Sequence, residues 1–295
     1  MKISTMTSLF YTRREDGTMT PIPESVIRCK KAGFDTLDLN MCPMDQRRRQ
    51  LFCDDDWEAK VDEVIKTKEE YGVTFDQSHP PYRAGVGYVF PNDEDNEFFC
   101  RMERRALDIT ARVGGKWAVI HPVWDPEAGP DLEAQLAINH KIYDEMVDMA
   151  TKLGIGIAFE NMVVWPNGPY RFAARPEELV ALCDSYNLPN VGICWDFGHG
   201  NLVVHDKHED ALRLLGSRLK VTHVHDNLGV KDDHFLPFMG DMPWEKLMPV
   251  LKEIGYDGNL NLEMGFNQRM PDCLRDEGAK FTFLATQKLL ELVEG

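Results

Sequence analysis

One arrangement recurs in YGVTFDQSHP (residues 71–80), VGGKWAVIHP (113–122) and LGIGIAFENM (153–162). In each stretch a glycine is the second residue, a short run rich in apolar or β-branched residues follows, and a histidine or glutamate stands near its end. A glycine in the left-handed conformation commonly ends a helix, and such a short run has the length of a strand. Each stretch is therefore typical of a joint between a helix and a buried strand.

The same unit can be traced outward over the whole chain. The strand-length runs number eight: Lys2–Ser8, Asp35–Met41, Val73–His79, Lys116–Pro122, Gly156–Met162, Val191–His199, Leu219–Asn227 and Gly258–Gly265. Helical periodicity between them is clearest in Trp57–Tyr71, Asn96–Val113, Leu132–Leu153 and Trp244–Ile254. Eight such units predict a single α/β domain over residues 1–295, a (β/α)8 TIM barrel. An open doubly wound sheet is the alternative, but no G-x-G-x-x-G follows the first run.

The amino-acid composition limits the classes of molecule that we expect this protein to bind. The chain has 49 acidic against 33 basic residues and a formal net charge of −16, which disfavours nucleic acid and anionic membranes as partners. Its seven cysteines include no C-x-x-C pair, which is typical of reduced thiols. The first residues lack the apolar core of a signal peptide, and no apolar run is long enough to span a membrane. We therefore expect a cytoplasmic protein with a small-molecule partner; self-association into a homo-oligomer is left open.

Polar residues gather where the predicted strands end. In a barrel these ends converge on one pocket, and residues two apart on a strand share a face, so His223 and His225 are expected to point the same way. Burying carboxylates beside neutral imidazoles costs free energy unless a cation is present. Carboxylates and imidazoles are both suitable ligands for manganese, cobalt, zinc or magnesium. The sequence therefore predicts a metal site among His79, His121, Glu160, Asp196, His199, His223, His225, Asp226, Asp232, His234 and Glu263.

The spacing of Glu160, Asp196 with His199 three residues later, His225 and Glu263 resembles that of the xylose isomerase-like TIM barrel superfamily. This group contains sugar and sugar phosphate isomerases and epimerases, among them the ketose 3-epimerases, and also the endonuclease IV repair enzymes. The resemblance extends over essentially the whole chain. It implies a divalent-metal-dependent isomerase or epimerase that acts on a sugar, sugar phosphate, keto-sugar or cyclitol by proton transfer through an enediolate.

By that resemblance one divalent cation, usually Mn²⁺, with Zn²⁺, Co²⁺ or Mg²⁺ as alternatives, is held by Glu160, Asp196, His225 and Glu263. Glu160 and Glu263 double as the acid/base pair, and His199 touches the substrate. In ketose 3-epimerases an arginine stands six residues after the histidine ligand, whereas here the position is Lys231. A lysine is a point-charge donor without a planar fork, so the grip on the substrate is expected to differ.

Further candidates surround this set. His79, His121 and Trp124 are expected to contact substrate, and Asp232 and His234 to bind a further metal ion or the substrate. Other aromatic residues near the strand ends, expected to include part of an apolar wall, are Trp165, Tyr170, Trp195, Phe197, Phe235, Phe238 and Trp244. Arginines that could bind a phosphate are Arg47, Arg48, Arg49, Arg171 and Arg175.

A second resemblance competes with the first. Endonuclease IV enzymes bind three zinc ions through nine ligands, and residues of the right type stand at His79, His121, Glu160, Asp196, His199, His225, Asp232, His234 and Glu263. That resemblance implies a zinc phosphodiesterase acting on abasic DNA. The acidic net charge and the short segment from His225 to Asp232, which lacks a basic insertion, weigh against it.

Overall fold

The computed structural model describes residues 1–11, 19–45, 47–83, 92–164, 168, 170–266 and 270–295. Within these ranges strands and helices alternate along the chain. The strands are β1 Lys2–Met6, β2 Thr36–Asn40, β3 Thr74–His79, β4 Trp117–Ile120, β5 Gly156–Glu160, β6 Val191–Asp196, β7 Leu219–His223 and β8 Asn259–Leu262. The helices are α1 Ile22–Ala32, α2 Trp57–Tyr71, α3 Asp93–Arg112, α4 Leu132–Leu153, α5 Pro176–Tyr186, α6 Phe197–Val203, α7 His208–Leu215, α8 Trp244–Glu253 and α9 Asp272–Glu294.

The strands form one parallel sheet that closes on itself. Their order is β7-β6-β5-β4-β3-β2-β1-β8, so each strand lies beside its neighbours in the chain and β1 joins β8. Between β7 and β8 a parallel bridge pairs Val224 with Leu262, and the Val224 N–H donates to the Asn261 carbonyl at 2.7 Å. The predicted (β/α)8 TIM barrel is confirmed.

The glycines at the joints act as the sequence indicates. Gly72 and Gly154 end α2 and α4 with φ angles of 64° and 73°, in the left-handed region that favours glycine. Both helices have the predicted bounds. Helix α3 begins earlier than its apolar periodicity suggests, because the Asn92 side chain accepts a hydrogen bond from the Asp95 N–H and caps an acidic first turn.

Strand alternation separates the helix-facing core from the interior of the barrel. On β5, Ile157 and Phe159 belong to the large core between sheet and helices. The alternate residue Ala158 packs with Val119, Cys194 and Val221 in a small cluster of its own. The residues two positions beyond those four are His121, Glu160, Asp196 and His223. Period-two alternation therefore places a polar layer directly above the small apolar cluster, at the carboxyl ends of the strands.

Two expectations from composition also bear on the structure. All seven cysteines are free thiols, as their scattered positions predict. Among the described helices, none combines the length and apolar character that crossing a membrane requires.

Candidate metal centre

Four side chains at the ends of β5 to β8 bring their ligand atoms together at the mouth of the barrel. Glu160 ends β5, Asp196 ends β6, His223 ends β7 and Glu263 follows β8. One ligand atom from each lies within 4.8 Å of the others, and the first three residues are fully buried. We call these four residues the inner cluster. Three carboxylates and one imidazole so close together are a donor set that suits a divalent cation.

The histidine of the inner cluster is His223, whereas the resemblance implied His225. His223 is the last residue of β7 and pairs in register with Asp196. Its Nδ1 lies 3.0 Å from Glu160 Oε1 and 2.8 Å from Glu263 Oε2. His225 follows the end of the strand, and its Nε2 lies 3.0 Å from Asp196 Oδ1. The two histidines therefore sit in adjacent groups: His223 faces both glutamates, and His225 faces Asp196.

A buried polar network lies beneath His223 inside the barrel. Its other ring nitrogen, Nε2, is 3.7 Å from Asp38 Oδ2, and that oxygen accepts hydrogen bonds from the Gln77 and Asn261 side-chain amides at 2.8 and 3.2 Å. The Asp38 carboxylate therefore lies behind the His223 ring, at a distance longer than a hydrogen bond.

A second group of ligands lies beside the first. Asp232 Oδ2 is 3.3 Å from His199 Nε2 and 3.2 Å from His234 Nε2, and Asp232 Oδ1 is 3.5 Å from His225 Nε2. The rings of His225 and His234 stack with centroids 3.9 Å apart. We call His199, His225, Asp232 and His234 the outer cluster. It meets the inner cluster at Asp196, which contacts His225.

Two further predicted residues converge on Glu160. Oε2 of this glutamate lies 3.0 Å from His121 Nε2 and 3.5 Å from His79 Nε2, while its Oε1 faces His223. Nδ1 of His79 is 3.2 Å from Cys42 Sγ. Glu160 is therefore the residue on which three histidines converge.

Three of these histidines are oriented by backbone carbonyls. Nδ1 of His79, His199 and His234 lies 2.9, 2.8 and 2.9 Å from the carbonyls of Pro80, Asn161 and Glu263 respectively. With the N–H on Nδ1, each ring directs its Nε2 lone pair at a carboxylate oxygen. The Nε2 lone pair and the carboxylate oxygen repel each other unless a proton or a metal ion lies between them. This orientation of the rings is that of metal-ligating histidines, so the residues fit a bound cation.

The electrostatics of the outer cluster agree with this fit. Burial lowers the pKa of His199, but Asp196 and Asp232 outweigh burial and raise it to about 10. In His234 burial is likewise outweighed, chiefly by Asp232, and the pKa rises to about 9. Burial favours protonation of Asp232, yet His199 and His234 hold the pKa of that carboxyl well below its usual range. The cluster thus favours positive charge between its imidazoles and its carboxylate.

Both clusters contribute to one cavity of about 570 Å³. The part that faces the two clusters is lined by His79, His121, Glu160, His199, Asp232, His234 and Glu263. Residues that the sequence reasoning missed line the rest, among them Tyr11, Cys42 and Tyr82. Tyr82 stacks on His121 with ring centroids 4.5 Å apart. These residues follow β1, β2 and β3 in segments that carry no chemical motif, so only their position after a strand could have suggested them.

The structure keeps several other candidates away from this cavity. Trp124 is buried in the core between sheet and helices, and so are Trp195, Phe197 and Trp244. Their rings pack in the core, and none of the four is among the residues that line this cavity. Lys231 is exposed and does not line the cavity. Trp165 lies outside the described residues.

The chain is similar to proteins of known fold. Residues 26–283 match the family model of the xylose isomerase-like TIM barrel. An uncharacterised protein of Methanocaldococcus jannaschii is 28% identical over 201 residues, which cover 68% of this chain and 66% of that relative's own length. A D-tagatose 3-epimerase-like protein superposes with a TM-score of 0.75 and 21% identity over 100% of this chain and 98% of that one. A D-psicose 3-epimerase crystallised with D-fructose gives 0.74 and 17% over 98% and 99%. At these identities the two solved structures establish the shared fold.

Proposed function

The chain belongs to the xylose isomerase-like TIM barrel family, and on that premise we propose that it is a divalent-metal-dependent isomerase or epimerase of a sugar-like substrate. The observation that carries the proposal is the inner cluster, in which Glu160 and Glu263 approach His223 Nδ1 from two different strands. The solved structures with the same fold include proteins named as ketose 3-epimerases. A sugar, keto-sugar or cyclitol is the substrate class that suits a cavity of this size and polarity.

The cation of this proposal is held by Glu160, Asp196, His223 and Glu263, with His223 in the role that the resemblance gave to His225. The Oε2 atoms of Glu160 and Glu263 are buried, and their nearest polar neighbours are imidazole nitrogens, at 3.0 Å for His121 Nε2 and 2.8 Å for His223 Nδ1, which fits oxygens that can share a cation with those rings. Carboxylate-rich sets with one imidazole suit Mn²⁺, and Zn²⁺, Co²⁺ or Mg²⁺ are alternatives. When bound, such a cation neutralises negative charge that develops beside it.

Glu160 and Glu263 are the proposed proton-transfer pair. Burial raises the pKa of each, but His223 and, for Glu160, also His121 outweigh burial, and both values lie below the ordinary range. Each side chain is therefore a carboxylate at neutral pH, which suits the residue that accepts a proton from a carbon next to a carbonyl. The residue that returns a proton on the other face must first take one up. General acid–base catalysis of this kind contributes about 10²–10⁴-fold.

The remaining cavity histidines are proposed to bind substrate. His79 and His121 contact Glu160, and His199 lies 3.7 Å from the same carboxylate. Each can donate or accept a hydrogen bond to a hydroxyl near the reacting carbon. Lys231, being exposed and outside the cavity lining, is not part of this proposal.

The test is deuterium incorporation from heavy water into ketoses such as D-fructose and D-tagatose, with Mn²⁺ added to the purified protein. We expect metal-dependent exchange that Glu160→Gln and Glu263→Gln each abolish, whereas Glu127→Gln, a change at an exposed residue, leaves it intact. Metal content is measured in the same samples, because both glutamates are also proposed ligands. Exchange at the parent rate in both variants, with metal retained, would show that this pair is not the acid/base couple.

One observation supports a second candidate function. The histidine–carboxylate contacts extend from His79 and His121 through Glu160 to the outer cluster, as a multinuclear zinc phosphodiesterase would require. The net charge of −16 opposes DNA binding. An abasic duplex at low salt, where electrostatic binding is strongest, tests this candidate. Efficient incision that His79→Ala and His234→Ala both remove would replace the isomerase proposal.

A further inference from the structure

Asn161, the residue after β5, bonds to β6 beyond the last pair of the backbone ladder between these strands. That last pair is Glu160 with Cys194, and β6 continues for two residues to Asp196. The Asn161 side-chain amide spans this step, because its Oδ1 accepts the Asp196 N–H at 2.6 Å and its Nδ2 donates to the Asp196 carbonyl at 2.9 Å. Asn161 therefore holds the end of β6 beside the end of β5.

Asn161, Asp196 and His199 hold one another in a closed triangle. The Asp196 Oδ1 accepts the His199 N–H at 2.7 Å and so caps α6, the helix that carries His199 in its first turn. The His199 imidazole in turn has its Nδ1 2.8 Å from the Asn161 carbonyl. All three residues are buried. A change at Asn161 therefore acts on both of its partners at once.

The triangle joins the two clusters. Asp196 belongs to the inner cluster together with Glu160, which directly precedes Asn161 in the chain. His199 belongs to the outer cluster, and its Nε2 lies 3.3 Å from Asp232 Oδ2. We infer that Asn161 is a positioning residue of the proposed metal centre, which holds Asp196 beside Glu160 and orients His199. This inference rests on the proposed function, because Asp196 is a ligand only if the inner cluster binds a cation.

An amide side chain suits this position because it offers a donor and an acceptor side by side. The main-chain N–H and carbonyl of Asp196 require one of each, and both are buried at the end of the strand. Buried polar groups that lose their partners cost free energy, so removal of the amide should shift the end of β6 together with the carboxylate that it carries. Ligands of a metal site must be held within about 0.5 Å of their productive positions, so such a shift weakens cation binding.

The experiment titrates chelator-treated protein with Mn²⁺ in a calorimeter and compares Asn161→Ala with the parent. We expect the variant to bind Mn²⁺ about 10–100-fold more weakly, the loss typical of a group that orients a ligand. The visible absorption spectrum of bound Co²⁺ should also change, because it depends on the arrangement of the ligands. Asn161→Ser, whose hydroxyl is too short to reach both Asp196 atoms, should show the same two changes and provides the measurement if the alanine variant does not fold.

The matched control is Asn139→Ala. Asn139 is also fully buried, and its Oδ1 accepts the Val123 N–H at 3.0 Å while its Nδ2 donates to the Val123 carbonyl at 2.9 Å. Val123 is not among the residues that line the cavity. Asn139→Ala should therefore lower the midpoint of thermal unfolding, as Asn161→Ala does, but leave the Mn²⁺ affinity and the Co²⁺ spectrum unchanged. An equal loss of Mn²⁺ affinity in both variants would mean that general destabilisation weakens the site, and the inference would be wrong.

The same measurements separate this inference from the proposed function. A loss of Mn²⁺ affinity smaller than about tenfold in Asn161→Ala, with an unchanged Co²⁺ spectrum, would overturn the role of Asn161 and leave the proposed function standing. Metal binding that depends on Asn161 in a protein that exchanges no deuterium would support that role and count against the proposed function. A parent protein that binds no divalent cation would overturn both.

Discussion

The inner and outer clusters use the same residue types on different supports. Every member of the inner cluster is the last residue of a strand or directly follows one, so the barrel fixes its position. The outer cluster takes Asp232 and His234 from the segment between β7 and α8, where their side chains are 15% and 33% exposed. His234 also has a φ of 51°, a left-handed conformation that is strained for a residue other than glycine. On the proposed function, this contrast predicts that the strand-borne group carries the chemistry and that the loop-borne group modulates it.

The largest loss of deuterium exchange is expected from replacing Glu160, which lies at the centre of the histidine contacts. Glu160 contacts His79, His121 and His223, so Glu160→Gln removes a proposed base and a proposed ligand together. Deuterium exchange should fall by about 10³-fold or more, within the range of general acid–base catalysis. Glu127→Gln provides the control. A loss of less than tenfold would take the chemistry away from the inner cluster.

The next prediction compares His223, the last residue of β7, with His225, which follows the strand. His223→Gln removes an inner-cluster ligand and should weaken manganese binding by more than the roughly 10–100-fold typical of an outer-shell partner. His225→Gln, which alters contacts to Asp196 and Asp232 but none to the two glutamates described above, should fall within or below that range. Calorimetric titration of the metal-free protein measures both. The reverse order of effects would restore His225 as the ligand.

These histidines also show what the sequence could and could not predict. The barrel follows from the glycine joints and strand-length runs, because local conformation and period determine both. The polar strand ends follow from the same period. Which of His223 and His225 faces the two glutamates depends on where β7 stops and on its pairing with Asp196, which is a property of two strands together. A pattern read along one segment cannot supply that register.

The sequence also could not predict in which direction a side chain points in the segment after a strand. Trp124 follows β4 closely yet turns into the core, and Lys231 lies in the segment beside the outer cluster yet points to solvent. Tyr82 and Cys42 line the cavity although nothing in their sequence neighbourhood distinguishes them. In each case the path of a loop decides the outcome, and loops lack the periodicity on which sequence reasoning depends.

A smaller effect is expected from the outer cluster. Asp232→Asn removes the carboxylate that His199, His225 and His234 share. If the outer cluster binds a second cation, elemental analysis should show one equivalent less in this variant, with the inner-cluster cation retained. We expect exchange activity to fall by less than about tenfold, below the range typical of a lost acid or base. Loss of all metal would show that the two clusters bind as one unit.

The smallest expected effect is a pH dependence of stability in the metal-free protein. The pKa values of His199 and His234 are raised to about 10 and about 9, above the roughly 6.5 of an unperturbed histidine. Their folded-state pKa values lie above the unfolded value, so the stabilisation is fully present below about pH 6.5 and is lost as the pH rises through 9 and 10. Thermal unfolding of chelator-treated protein between pH 7.5 and 10 should therefore show a falling midpoint.

Asp232→Asn should flatten this decline, because Asp232 is a main cause of both raised pKa values. Glu103, whose pKa burial raises to about 7 despite Arg83, changes its protonation mainly below this window and does not confuse the comparison. His79 and His223 also have raised pKa values, but they are present in both proteins and cancel in the difference. If the unfolding midpoint falls equally with pH in the parent and in Asp232→Asn, the pH-dependent part of the stability comes from the inner cluster alone. The charge coupling assigned to the outer cluster would then be wrong.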